Sequence, residues 1–325
     1  MDAADDMARR LLAGERPALS RTISWAENAD ERFAPVLAEV YGRVGRAWRI
    51  GVTGPPGAGK SSLVNALIEK LRERRGTVGV LAIDPSSPYT GGALLGDRIR
   101  MEERTSDPGV YIRSMATRGS HGGLARAAFD ALDVMDAFGF DWLVVETVGV
   151  GQAEFEIAGA TDTVLVVLCP GAGDGIQAMK AGLLEVADVL VANKSDLPGA
   201  DQLATDLEDS LQLRALSRTR ARTRVPAVVP VSAHTGAGLP ELLTAIDAHR
   251  RELESADLAA LRREKRVRQV RRVVGERLDE ELWGRDGHTE RAAALLGKSR
   301  TPYDVAGEIL KLISPRRPIP SRSDP

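Results

Sequence analysis

Gly54-Pro55-Pro56-Gly57-Ala58-Gly59-Lys60-Ser61 follows the β-prone run Arg49 to Val52 and precedes a helical segment, Ser62 to Arg72. This junction decides the fold class. Glycines let backbone N–H groups curl around phosphate oxygens without Cβ clashes, and the helix behind them turns its positive end toward the anion. In a GxxxxGK[ST] loop the lysine reaches the β and γ phosphates and the hydroxyl meets Mg2+. Gly57, Ala58, Gly59, Lys60, Ser61 and Ser62 are therefore the expected phosphate-contacting positions. The loop alone does not choose the base.

Working outward, short apolar or β-branched runs alternate with helical segments from Trp48 to Arg250. That alternation predicts βα units on a mainly parallel sheet. Strands are expected near Arg49 to Val52, Val78 to Ile83, Val110 to Arg113, Trp142 to Glu146, Thr163 to Leu168, Val189 to Ala192 and Val228 to Val231. The fold class is α/β, a P-loop NTPase with helices flanking the sheet. Residues 1–47 read as a helical extension, 48–250 as the nucleotide domain, and 251–325 as a helical arm with a loose tail from Pro315. In the arm, Leu258, Leu261, Val267, Val270, Val274, Leu278 and Leu282 form a helical apolar stripe, which suits packing on its own domain or a contact between copies. A second helix is expected over Tyr303 to Ile313.

The base is indicated by Asn193-Lys194-Ser195-Asp196, directly after the strand ending near Ala192, at the ligand-facing edge of such a sheet. Guanine carries N1–H and an exocyclic amino group side by side, and one Asp196 carboxylate accepts from both; adenine would set a lone pair against it. Asn193 supports the loop and Lys194 lies along the base. Ser232-Ala233, after the next strand, supplies N–H groups for guanine O6. Phosphate loop, acidic strand end, NKxD and SA occur in the order that GTP recognition needs.

Between them, the strand Asp141 to Val145 leads into Glu146-Thr147-Val148-Gly149. Glu146 is expected at the Mg2+ position, meeting the ion directly or through a ligand of it, and Gly149 offers an N–H that a γ phosphate recruits and releases on hydrolysis. Gln152 either orients water or caps the next helix. Asp84, at a strand end, and Asp97, beyond a glycine-containing loop, are further candidates as metal ligand, water activator or helix cap. Arg113, Arg118 and His121 flank another glycine-rich turn that either contacts phosphate or partner or merely closes the chain.

Composition excludes several classes. A formal charge of −2 gives no general attraction to nucleic acid or anionic lipid, and the basic run Arg262 to Arg272 is interrupted and flanked by acids, as on a solvated helix face. No apolar run approaches the roughly 20 residues of a membrane span. Asp2, Asp5 and Asp6 before Arg9 do not make a secretory leader, and the single cysteine, Cys169, cannot pair within the chain. A cytoplasmic protein is expected. His121, His234, His249 and His288 stand far apart, so a metal-insertion GTPase, which uses Cys and His near the nucleotide, is disfavoured.

The phosphate loop together with Asp84-Pro85-Ser86-Ser87, Gly91-Gly92-Ala93-Leu94-Leu95-Gly96-Asp97-Arg98, Glu146 to Gln152 and Pro170 to Gly182 resembles the MeaB/ArgK family of P-loop GTPases, relatives of the human methylmalonic aciduria type A protein. The resemblance implies a Mg2+-dependent GTPase, converting GTP to GDP, that acts as a chaperone for an adenosylcobalamin-dependent acyl-CoA mutase such as methylmalonyl-CoA mutase. It assigns Mg2+ to Ser61, Asp84, Asp97 and Glu146, and a mutase-sensing switch to Gly171 to Lys180 with Gln177 and Lys180 as working side chains. Lys60, Asp84, Glu146, Gln152 and Lys180 form the implied catalytic set, and the C-terminal arm the implied homodimer contact. Tyr89, Arg98 and Ser195 depart from the commoner residues. A kinase of a lysine/arginine/ornithine transport system, a label the family has also carried, is the alternative; NKxD argues against ATP as its donor.

Overall fold

The computed structural model describes residues 3–85, 106–117, 123–147, 153–171, 183–217, 225–283, 288–296 and 301–313. Three helices lead in: α1 (Ala3–Leu12), α2 (Arg16–Glu27) and α3 (Phe33–Val40), followed by a 3-10 turn at Tyr41–Arg43. The described chain then alternates β1 (Trp48–Thr53), α4 (Lys60–Glu73), β2 (Val78–Pro85), β3 (Val110–Thr117), α5 (Gly123–Phe138), β4 (Trp142–Thr147), α6 (Ala153–Ala160), β5 (Thr163–Leu168), α7 (Leu183–Val186), β6 (Val189–Asn193), α8 (Ala200–Ser217), β7 (Ala227–Val231) and α9 (Leu239–Ser255). Beyond lie α10 (Leu258–Trp283), α11 (His288–Leu296) and α12 (Pro302–Ile313). All seven expected strands form, each within a few residues of its expected bounds.

The strands make one sheet in the order β3-β2-β4-β1-β5-β6-β7, every pairing parallel. Helices cover both faces, so β1, β4, β5 and β6 are buried at every position; this is why their sequences read as continuous apolar runs instead of alternating ones. Ile50, Val52, Val80, Val144, Leu165 and Val191 pack against Leu63, Leu67 and Leu71 of α4 and Leu242 and Ile246 of α9. On the opposite face Leu81, Leu143 and Val145 meet Leu132 and Met135 of α5 and the lead-in helices through Leu11, Leu19 and Ile23. A third cluster joins Val164, Val166 and Leu190 to α7 and α8. The lead-in helices thus share a core with the sheet.

At the N-terminal edge of β1 the polar groups are satisfied inside the protein. Arg49 is buried and donates to both Asp133 and Asp136 at 2.8 Å. The two carboxylates more than offset the desolvation of its guanidinium, raising its pKa further. Asp136 also accepts the N–H groups of Gly45, Arg46 and Ala47. Asp162 accepts the Arg49 N–H and the Arg262 guanidinium, which also reaches the Ala47 carbonyl at 2.9 Å and lies over Trp48. Lys265 donates to the Thr161 carbonyl.

Two compact units divide the chain, residues 1–265 and 266–325. In the second, Val305 and Ile309 of α12 are buried, while Val267, Val270, Val274 and Leu278, spaced three and four apart on α10, are exposed.

Candidate nucleotide site

The candidate site sits at the C-terminal edge of β1, β4, β6 and β7, the edge at which open parallel sheets bind their ligands. Gly54 leaves β1 at φ 140°, and a Cβ there would stand 2.1 Å from the Val167 carbonyl oxygen, so no other residue fits. Gly57 and Gly59 also have positive φ, 78° and 87°. The loop then enters α4, whose Leu63 N–H bonds the Gly59 carbonyl at 2.9 Å. Lys60 is buried and arches back over the loop, donating to the carbonyls of Gly54 at 2.8 Å and Pro55 at 2.9 Å. Ser61 faces the end of β4, and its hydroxyl donates to Glu146 Oε1 at 2.6 Å. Two hard oxygen donors are thereby side by side next to the phosphate loop.

The segments expected to read the base are braced against that loop. Asn193, buried at the end of β6, donates to the Ala58 carbonyl at 2.8 Å and accepts the Ala233 N–H at 3.2 Å. Lys194, at φ 60°, reaches the Gly57 carbonyl at 2.8 Å. Asn193 and Lys194 therefore both hold the phosphate loop, while Asn193 also joins it to the segment after β7. Ser232 donates to Asp196 Oδ1 at 2.5 Å and accepts the Thr235 N–H at 3.2 Å. That hydroxyl is the first cause that holds the Asp196 carboxyl below its ordinary pKa; a backbone N–H, His234 and Lys194 add to it. The carboxylate stays charged and oriented, as reading two adjacent donors requires.

The fold brings Gly57, Ala58, Gly59, Lys60, Ser61, Glu146, Asn193, Lys194, Asp196, Ser232 and Ala233 to one edge, with Ser62 in the first turn of α4. Asp84 falls on β2 in register with Ala116, its side chain outside the described residues. Asp97, Gly149, Gln152, Gln177, Lys180, Arg118 and His121 also lie outside them. Arg113 turns away from the edge to donate to Ser24 and Glu27 of α2. Cys169 is buried, its thiol 3.8 Å from the Gly57 carbonyl. Among the described residues no three His, Cys, Asp or Glu side chains gather as a metal cluster, and no helix is long and apolar enough to cross a membrane. Sequence reasoning missed the buried Thr53–Thr147 pair, because only the parallel register of β1 and β4 reveals it.

A family profile described as methylmalonyl-CoA mutase-associated GTPase MeaB matches residues 19–286. This chain belongs to the MeaB family. A Pyrococcus abyssi protein named as a GTPase is 43% identical over 314 residues, covering 95% of this chain and 96% of its own. A Mycobacterium tuberculosis protein, also named as a GTPase, is 36% identical over 323 residues, 96% of this chain and 95% of its own. The mouse mitochondrial methylmalonic aciduria type A homolog is 34% identical over 276 residues, 79% of this chain and 66% of its own. Among solved structures, a protein titled LAO/AO transport system kinase superposes with a TM-score of 0.74 at 26% identity, over 96% of this chain and 99% of that one. As a MeaB-family member related to the methylmalonic aciduria type A protein, the chain is a P-loop GTPase that hydrolyses GTP.

Proposed function

We propose that this MeaB-family GTPase serves an adenosylcobalamin-dependent acyl-CoA mutase, gating cofactor loading and protecting the enzyme, in the cytoplasm. The observation that carries the reading is the family match over residues 19–286, in a family described by its association with methylmalonyl-CoA mutase. In this reading Lys60 leaves the Gly54 and Pro55 carbonyls for the β and γ phosphates, and the Gly57 to Ser62 backbone cradles them. Asp196 selects guanine, held by Ser232, while Asn193, Lys194 and Ala233 complete the base pocket.

Mg2+ fits the oxygen donors beside the loop, because this ion binds through one or two side-chain oxygens plus substrate phosphates and does not need an all-protein cage. Ser61 and Glu146 would hold it, with Asp84 and Asp97 as further acids. Bound there, it would neutralise phosphate charge. Gly149 would sense the γ phosphate, Gln152 would orient water, and Lys180 would couple the 171–180 segment to the mutase. The exposed α10 stripe, Val267, Val270, Val274 and Leu278, supports a homodimer seam, since apolar side chains at this spacing are buried by a second helix.

Purified protein assayed for phosphate release with and without saturating mutase tests the proposal; stimulated turnover is expected, and an unchanged rate refutes the partner. The transport-kinase reading, suggested by the neighbour's title, predicts instead that labelled γ-phosphate appears on a solute-binding protein.

A further inference from the structure

β1 and β4 run parallel with Val52 opposite Glu146, so Thr53 and Thr147, the last residues of the two strands, face each other one step later. Beyond Thr53 lies the phosphate loop. Thr147 follows the carboxylate that meets Ser61. Side chains alternate across the sheet. Glu146 points to the α4 face, where it meets Ser61, whereas position 51 faces Ile157 on α6 and Thr161 just after it. Thr53 and Thr147 share that second face.

Both threonines are buried, at 0% and 1% exposure, and the Thr147 hydroxyl donates to Thr53 Oγ1 at 3.0 Å. Valine has the same shape, and β-branched apolar residues fill most of the neighbouring positions, such as Val52, Val144, Val145 and Val166. Packing alone therefore gives no reason for hydroxyls here. A hydrogen bond does: it fixes the rotamers of both residues and the direction in which the two strands end.

We propose that the Thr147–Thr53 hydrogen bond is a positioning latch for GTP hydrolysis, holding the end of β4 against the start of the phosphate loop so that Glu146 and Ser61 keep their mutual placement when triphosphate binds. Thr147 touches neither nucleotide nor metal in this account; it acts through Glu146. The latch matters most when the γ phosphate must be gripped between the two strand ends, and little for GDP, whose grip lies in the loop and base pocket. This rests on GTP hydrolysis at Ser61 and Glu146.

The test is single-turnover GTP hydrolysis at saturating Mg2+ beside GDP affinity, for full-length wild type, Thr147→Val, Thr53→Val, the double variant and Thr147→Ser. Each single valine variant should slow hydrolysis on the order of tenfold with GDP affinity within about twofold. The double should be no slower than either single, since both remove one bond, and Thr147→Ser should return to within about threefold of wild type. Undiminished hydrolysis, additive losses, a parallel fall in GDP affinity, or failure of Thr147→Ser to recover each overturns the latch. If Thr147→Val does not fold, Thr53→Val carries the same comparison; if neither folds, the pair serves stability alone and the proposal fails. A wild type that does not hydrolyse GTP would instead overturn the underlying reading.

Discussion

Asp136→Ala attacks the best-connected carboxylate at the base of the sheet. Its Oδ1 accepts the N–H groups of Arg46 and Ala47, both at 3.0 Å, and its Oδ2 accepts the Gly45 N–H at 2.9 Å and Arg49 Nη2 at 2.8 Å. The carboxylate is fully buried. Truncation leaves three backbone donors without their acceptor and removes one of two counter-charges from a buried guanidinium. Breaking a buried pair in this way costs about 3–5 kcal/mol. In a chain of 325 residues, whose unfolding entropy is about 2.1 cal/mol/K per residue, that lowers the melting temperature by roughly 4–7 °C, taking about 1.5 °C per kcal/mol. Asp136→Asn keeps one oxygen for Arg46 and Ala47 but presents an amide donor to Gly45 and Arg49, so it should fall in the lower half of that range. Thermal and urea unfolding measure both, and GDP affinity well below the melt should stay within about twofold, because the nucleotide edge is at the other end of β1. A loss under about 1 kcal/mol for Asp136→Ala, or an affinity loss in step with stability, would refute the view that this cluster supports the scaffold and not the site.

Lys60→Met should weaken GTP binding by roughly a hundredfold, the scale of a lost charge-assisted hydrogen bond, and GDP less; equilibrium titration of both nucleotides decides it, and equal losses would contradict a γ-phosphate role. Ser232→Ala removes the first cause of the low Asp196 pKa. Because the folded value is depressed, the ionised form and its benefit are present above the ordinary carboxylate pKa and disappear as pH falls through the depressed one. GDP affinity of the variant should therefore collapse at higher pH than in wild type, in a titration below neutral; coincident acid limbs would count against it. Val270→Glu with Val274→Glu sets like charges into the proposed seam and should shift the protein toward monomer in sedimentation while leaving GDP affinity intact. A monomeric wild type would remove the seam.

The parallel sheet is legible because burial on both faces leaves a coarse mark, runs such as Val164 to Leu168 and Val189 to Ala192 that need no partner to be recognised. The phosphate loop and NKxD are legible because their chemistry is local: glycines at fixed offsets, a lysine, and an acid after a strand. What escapes a reading of the sequence is whatever depends on strand order. Arg49 looks like an ordinary charged residue at a strand start until β1 is set beside α5 and meets Asp133 and Asp136. Arg262 sits in a basic run that suits a solvated face, yet it is tied to Asp162 and Ala47. Asn193 is expected to support its loop, but its second bond, to Ala233, needs the register of β6 on β7.

These long-range bonds divide the labour between the two edges of the sheet. At the N-terminal edge, charges are paired with charges and with backbone groups inside the protein, so nothing there has to rearrange for a ligand. At the C-terminal edge, Lys60 is occupied by carbonyls of its own loop and Ser61 by Glu146, partners that a triphosphate and its cation would replace. In such an exchange Lys60 and Ser61 give up partners within the protein and gain partners on the ligand, so neither is left unsatisfied in either state. The difference between GTP and GDP then falls on the contacts nearest the γ phosphate. Glu146 is proposed to stand there, bonded to Ser61 beside the phosphate loop, and on that proposal the strand end that carries it is where nucleotide state is best placed to be felt by the chain beyond.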